Sequence, residues 1–366
     1  MSVRRRPPVE LHRLISALVH RPELVARLRE APDEVHEAFG IPADQRKQLQ
    51  ADPAKALRDL DVHPNLQFKY LGARGLLKLA RRRLRRFFKN KVLAMGKIVS
   101  AAATSHTFGV ADGVEAQAQR IFDGIDRIGQ AIQASRPDVI LIATSDHLVN
   151  FSLDFQIPLA VGISDDWCPY GDLGVPRQSF PGHREFATEL VAFAARKHFD
   201  LAAVENVKPD HGLAMPNAII NRGLNVPVVP IYINTVMTPA PTCARSFALG
   251  KAVREFVETA RPANERVAIL ATGGLSHWIC LPDSGRVNAE WDRALIERVV
   301  SGRGAELAEL SFDAIMKDGG NGGLEMATWA FMAGTTGDSV GERVYYEEMT
   351  AWWTGMGGVL MHLDAA

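Results

Sequence analysis

The chain of 366 residues has little cysteine, no net charge and no long hydrophobic run. Its cysteines, Cys168, Cys243 and Cys280, are odd in number and far apart, which argues against a disulfide framework and fits a reducing compartment. The 42 basic and 42 acidic side chains balance, so the chain as a whole has no field that attracts nucleic acid. No apolar stretch approaches the length of a membrane span, and no apolar core follows the first arginines as in a secretory signal. We therefore expect a cytoplasmic protein that binds neither nucleic acid nor membrane.

Two patterns of apolar spacing divide the chain. Residues 9–60 have leucines at helical spacing, prolines suited to the first turns of short helices, and no strand signals. From Lys97 onwards, short apolar runs alternate with helical segments, which favours an α/β fold with a central sheet and helices on both faces. We predict a small all-α domain at 1–72, a linker at 73–95 and a larger α/β domain at 96–366.

The predicted linker contains a strongly basic tract. Arg74 to Lys91 contains nine Lys or Arg residues and no acid, and apolar residues fall near one face. We interpret it as an amphipathic helix that packs on its own protein, the alternative being a membrane or nucleic-acid contact.

Residues 226–233 form an apolar run that contains Pro227 and Pro230. Because proline cannot donate to a ladder of hydrogen bonds, we predict an edge strand or an interrupted one.

Two histidines and one glutamate occupy the sequence positions that are most informative about function. His106 follows a predicted strand at 97–103, His147 follows another at 138–144, and Glu325 comes after the glycine-rich run 318–323. Ligands of open α/β sheets bind beyond the carboxyl ends of strands, so these side chains are expected to converge. Two neutral imidazoles and one carboxylate leave several coordination positions open, as non-haem Fe(II) requires to bind a substrate and O₂ together. We predict that His106, His147 and Glu325 hold Fe(II).

Two more histidines lie in similar settings. His277 follows a predicted strand at 266–272, and His211 stands in an Asp-His-Gly segment. A histidine beside a metal is a natural proton shuttle, so His277 is the candidate acid–base residue. We expect His211 to orient substrate or oxygen, the alternative being a loop histidine satisfied by nearby backbone. The glycine-rich run lacks the Lys-Ser or Lys-Thr pair of a P-loop, so we expect its glycines to let the backbone turn and bring Glu325 to the metal.

Three neighbouring side chains have less specific settings. Asp146 precedes His147 and would point away from it on an extended backbone, so we expect a structural role. Phe151 and Trp278 are candidates for the walls of an aromatic pocket, or for ordinary core. The residues alone leave three classes open: an Fe(II) dioxygenase, a zinc-dependent hydrolase with the same ligands, and a metal-free binding protein.

Residues 97–362 resemble the catalytic subunit of the class III extradiol dioxygenases, the protocatechuate 4,5-dioxygenase type. The matching motifs are Ser105-His106-Thr107, Asp146-His147 followed by Phe151, Asp210-His211-Gly212, the Gly-Gly-x-Ser-His segment ending at His277, and Glu325. Residues 9–70 resemble the small helical subunit of that family.

The resemblance implies extradiol cleavage of a catechol-type or aminophenol-type ring with Fe(II) and O₂, and an acid–base role for His277. It also suggests that the helical domain covers the active site. Many relatives have a proline soon after the first histidine, whereas Thr107-Phe108-Gly109 follows here, so the substrate is less well defined than the metal site. We expect a homo-oligomer, with a dimer favoured.

Overall fold

The computed structural model describes residues 8–76 and 95–363, which belong to two compact units that divide between Lys89 and Asn90. The predicted linker helix falls mostly at residues 77–94, outside the described residues. Within the described part of the chain, no helix combines the length and apolar character needed to cross a membrane.

The first unit is helical, as predicted. Prolines occupy the first turns of four of its helices, because the missing N–H is unpaired there in any residue. Leu11, Leu14, Leu28 and Leu57 are fully buried in its own apolar core. Its helices are α1 (Val9–His20), α2 (Pro22–Glu30), α3 (Pro32–Ala38), α4 (Ala43–Ala51), α5 (Pro53–Asp59) and α6 (Pro64–Ala73).

The second unit alternates strands and helices. Its strands are β1 (Lys97–Thr104), β2 (Val139–Thr144), β3 (Leu159–Gly162), β4 (Asp166–Trp167), β5 (Phe180–Pro181), β6 (Ala202–Val204), β7 (Val228–Ile233), β8 (Arg266–Thr272), β9 (Gly341–Met349) and β10 (Thr354–Met361). Its α-helices are α7 (Glu115–Ala134), α8 (Arg184–Arg196), α9 (His211–Ile220), α10 (Cys243–Ala260), α11 (Ala289–Val300), α12 (Phe312–Asp318) and α13 (Met326–Thr336). Short 3-10 helices lie at Asp172–Gly174, Gly304–Glu309, Gly322–Glu325 and Thr350–Trp352.

Eight of these strands form one mixed sheet in the order β6-β3-β7-β2-β8-β1-β10-β9. The four central strands, β7, β2, β8 and β1, run parallel. One face packs on a core that includes Leu190 of α8, Val253 of α10 and Phe331 of α13. The other face packs on Ile121 and Ile125 of α7 and their neighbours. The predicted α/β class, with helices on both faces, is confirmed.

The prediction for residues 226–233 is wrong in position. β7 lies inside the sheet, paired with β2 on one side and β3 on the other, and not at an edge. The pairing with β3 ends at Val161 opposite Ile231, so Pro230 lies just beyond that ladder. The interior strand β7 tolerates Pro230 because its ladder with the short strand β3 ends before the position at which the missing N–H of Pro230 would be needed.

Candidate active site

The three site histidines that follow strands are brought to one edge of the sheet. β2, β8 and β1 are adjacent and parallel, and Thr104 at the end of β1 pairs in register with Thr272 at the end of β8. His106 and His277 are buried, and His147 is partly buried. Because parallel strands end at the same edge, the turns that carry these histidines lie together at that edge of the sheet.

Glu325 joins two of these histidines. Its Oε1 lies 3.1 Å from Nε2 of His147 and 3.6 Å from Nε2 of His106. Two donor atoms that are each about 2.1 Å from one ion lie about 3.0–3.4 Å apart at octahedral or tetrahedral angles. The carboxylate Oε2 accepts a hydrogen bond from the Gly274 N–H at 2.7 Å, which leaves Oε1 turned towards the imidazoles. The distance to His147 falls in this range and the distance to His106 lies slightly beyond it, so Oε1 is placed close to both imidazoles.

Asp210 fixes the orientation of His147. Its Oδ2 accepts hydrogen bonds from the backbone N–H of His147 at 2.7 Å and from Nδ1 at 3.0 Å. Asp210 is fully buried and caps α9, where its Oδ1 accepts from the Gly212 N–H. With Nδ1 committed to a carboxylate, Nε2 is the atom that faces Glu325 and a metal. The sequence pattern predicted no helix at 211–220, so nothing in it marked Asp210 as a cap.

The electrostatics of the cluster suit a cation. Burial lowers the pKa of His106 to about 3, so this imidazole is neutral and its lone pair is available. Burial alone would raise the pKa of Glu325, but the hydrogen bond and the positive charge of His147 outweigh it and the pKa falls below its usual range. Burial likewise opposes protonation of His147, yet hydrogen bonds to Asp210 and Glu325 raise its pKa to about 10. The two carboxylates that favour a positive charge on His147 would also favour a metal cation at its Nε2.

His211 lies beside these ligands. Its ring centroid is 4.3 Å from that of His147 and 5.4 Å from that of His106. One ligand atom of each of the three histidines lies within 4.8 Å of the others, so they form a second possible metal set. His211 Nδ1 donates to Oδ2 of Asp172, a residue of the 3-10 helix at 172–174. Nothing in the sequence pattern singled out Asp172, because its partner lies 39 residues away.

The backbone around His277 sets its tautomer. Nδ1 lies 2.9 Å from the carbonyl oxygen of Leu275, which can only accept, so Nδ1 carries the hydrogen. In the neutral ring, Nε2 therefore presents a lone pair. The glycine-rich run packs against this ring: a Cβ added at Gly322 would lie 1.9 Å from Nε2. These glycines thus do more than the predicted turn before Glu325, because they also make room for His277.

The remaining predicted positions are structural. The Asp146 carboxylate accepts hydrogen bonds from the backbone N–H groups of Asn150 and Phe151, so it holds the loop after His147. Phe151 is buried in a small cluster with Tyr232 and Met237. Trp278 is also buried, with the Arg286 guanidinium 4.6 Å from its ring centroid. Ordinary packing therefore accounts for Phe151, and the structure adds no support for a pocket wall at either aromatic residue.

Comparison with known proteins decides the class. A family model described as the catalytic LigB subunit of aromatic ring-opening dioxygenase matches residues 100–357. The chain belongs to this family. The match includes all five candidate site residues and leaves residues 8–76 outside, so the likeness of the helical unit to a small subunit stays a prediction. The protein is an extradiol ring-cleaving dioxygenase, and its histidine cluster points to a metal cofactor.

Individual relatives match about two thirds of the chain. Proteins named 2,3-dihydroxyphenylpropionate/2,3-dihydroxicinnamic acid 1,2-dioxygenase from Photorhabdus laumondii and Paraburkholderia phymatum are 28% and 25% identical over 312 and 311 residues. Each alignment covers 70% of this chain and 95% of the relative. A protein of the same name from Escherichia coli O139:H28 is 26% identical over 294 residues, 66% of this chain and 92% of the relative.

Proposed function

We propose that this dioxygenase binds one Fe(II) through His106, His147 and Glu325 and uses O₂ to open a catechol-type ring. The observation that supports it most is the convergence of both histidine Nε2 atoms on Oε1 of Glu325. Two imidazoles and one carboxylate on one side of an ion form the facial arrangement of non-haem iron oxygenases. We prefer Glu325 to His211 as the third ligand, because a carboxylate balances the charge of the ion and Oε1 of Glu325 lies within 3.6 Å of both Nε2 atoms.

When bound, an iron with three protein ligands supplies open coordination positions for a diol and O₂ and lets electron density pass between them. The residues around it have separate tasks. Asp210 keeps Nε2 of His147 directed at the ion. His277 accepts a proton from a substrate hydroxyl at Nε2 and returns one later in the reaction. His211, whose Nδ1 is held by Asp172, hydrogen-bonds the substrate or oxygen through Nε2.

For the substrate we propose a catechol with an acidic side chain. The relatives act, by their names, on 2,3-dihydroxyphenylpropionate and the corresponding cinnamic acid. These names favour a side-chain carboxylate on a flexible arm over one attached directly to the ring.

Oxygen uptake tests the proposal. The protein is reconstituted anaerobically with Fe(II) and offered 2,3-dihydroxyphenylpropionate, protocatechuate, gallate and 2-aminophenol in turn, with the zinc-loaded protein as control. We expect one O₂ consumed per ring opened, fastest with the propionate, and none with zinc. Absence of uptake with every ring compound contradicts the proposed function. Equal turnover with zinc contradicts the role of iron.

A further inference from the structure

A buried carboxylate lies behind the segment that carries His277. Asp292, on α11, is fully buried, and its Oδ1 accepts a hydrogen bond from the Ser276 N–H at 2.8 Å. Its Oδ2 accepts from the Ser276 hydroxyl at 3.0 Å and from the Tyr346 hydroxyl at 2.8 Å. The Ser276 oxygen in turn accepts from the Asn288 N–H at 2.8 Å. A single side chain thus joins α11, β9 and the residue next to His277.

The same segment is held from its other side by β10. The Leu275 N–H donates to the Gly355 carbonyl, and the Gly355 N–H donates to the Ser276 carbonyl, each at 3.0 Å. A Cβ added at Gly355 would lie 1.8 Å from Oδ2 of Asp292, so the carboxylate approaches the backbone of β10 directly. The Leu275 carbonyl that accepts from the His277 ring therefore belongs to a peptide segment fixed on both sides.

We propose that Asp292 is a positioning residue for ring cleavage, because it clamps residues 275–277 and so keeps Nε2 of His277 directed at the substrate. The inference rests on the proposed role of His277 in proton transfer. Asp292 touches neither of the metal-ligating histidines nor Glu325, so its effect reaches the reaction through the backbone of the segment.

The cost of burying this group supports a role beyond stability. Burial raises the pKa of Asp292 to about 6, while hydrogen bonds from Ser276 and Tyr346 oppose that rise and the nearby Glu348 charge adds to it. At neutral pH the carboxylate is therefore ionised and accepts all three bonds. A buried charge is tolerated only when it is fully hydrogen-bonded, and apolar residues of similar volume often stabilise such a site as well or better.

The test compares Asp292→Asn and Ser276→Ala with the Fe(II)-loaded wild type. The amide of Asp292→Asn keeps the shape of the side chain but places an N–H donor against the hydroxyl groups of Ser276 and Tyr346. The alanine of Ser276→Ala removes the hydrogen bond from the Ser276 hydroxyl. We expect kcat and kcat/KM to fall together by up to about 10²-fold, the loss that a displacement of about 1 Å can cause. KM and iron content should stay at the wild-type level. Val299→Ala, a core change on the same helix, is the matched control and should lower thermal stability without lowering kcat.

A second readout does not depend on turnover. The full chain is loaded with zinc, which is diamagnetic, and ¹⁵N spectra are recorded. The Nδ1–H signal of His277 should be protected from exchange with solvent. It is assigned as the signal that disappears in His277→Gln. We expect this signal to exchange rapidly in Asp292→Asn. If Asp292→Asn fails to fold, Tyr346→Phe tests the same network.

The outcomes separate the two proposals. A wild type that consumes no O₂ with any diol refutes the proposed function, while the spectra still report whether Asp292 holds the ring. Wild-type kcat in both Asp292→Asn and Ser276→Ala, or an unchanged Nδ1–H signal, overturns the positioning role. So does a loss of kcat that Val299→Ala shares.

Discussion

Replacing Gly322 with alanine should displace His277 without straining the backbone of residue 322 itself. Gly322 lies in the 3-10 helix before Glu325 and is absent from the residues with positive φ, so alanine can adopt its conformation. The added Cβ would lie 1.9 Å from Nε2, 2.0 Å from Cδ2 and 2.3 Å from Cε1 of His277. Ordinary contact begins near 3.4 Å, so the imidazole must withdraw by about 1.5 Å.

The size of the effect follows from that displacement. A reacting group moved by about 1 Å can lose about 10²-fold in rate, and losing general acid–base help costs about 10²–10⁴-fold. We therefore expect kcat of Gly322→Ala to fall at least about 10²-fold. The ring can escape only by breaking its bond to the Leu275 carbonyl or by moving the loop that carries it. Such overpacking typically costs about 1–3 kcal/mol of stability, which leaves a folded protein.

The assay is steady-state O₂ uptake together with iron content and thermal stability. Gly323→Ala is the matched control, because its Cβ would meet Ile315 at 3.3 Å and Trp291 at 3.4 Å, close to ordinary contact. We expect the control to keep both iron and activity. Wild-type kcat in Gly322→Ala would show that the His277 ring is not needed at this position and would refute its role in proton transfer.

Four further predictions concern other parts of the chain. Glu325→Ala should lose most of its iron and stay folded, and full occupancy by metal analysis would refute the ligand assignment. His277→Gln should keep iron and bind substrate while turnover falls about 10²–10⁴-fold; loss of iron would make His277 a ligand instead. A chain that begins at Met95 should turn over substrate with altered kinetic constants if the helical domain covers the site, and unchanged constants would exclude that role. Burial, helped by the charge of Arg74, lowers the pKa of His36 to about 4 from an unfolded value of 6.5. The unfolded state therefore binds the proton first, and stability present above pH 6.5 is lost as the pH falls, by about 2 kcal/mol between pH 7 and pH 5. Hydrogen exchange of peptides from residues 8–76 should show this loss in the wild type and much less of it in His36→Gln; equal loss in both would exclude His36 as its cause.

The sequence by itself predicted the fold class, several of the central elements and where three of the site residues stand on them. Alternation of apolar runs and helical segments predicted the α/β unit, and prolines at first turns predicted the helical one. Strands ending just before His106, His147 and His277 predicted their convergence. These signals are local, because periodicity reports backbone conformation and the side of an element that is buried.

Tertiary structure alone decided which distant residues hold the site in place. Asp172 reaches His211 across 39 residues, and Asp210 reaches His147 across 63. Gly322 makes room for a ring that lies 45 positions earlier in the chain. The tertiary structure also places β7 inside the sheet despite Pro230. The proline is tolerated because the ladder between β3 and β7 ends before it reaches Pro230, so no backbone N–H is needed there. Such pairings depend on which elements become neighbours in the folded chain, and hydrophobic periodicity does not report which elements those are.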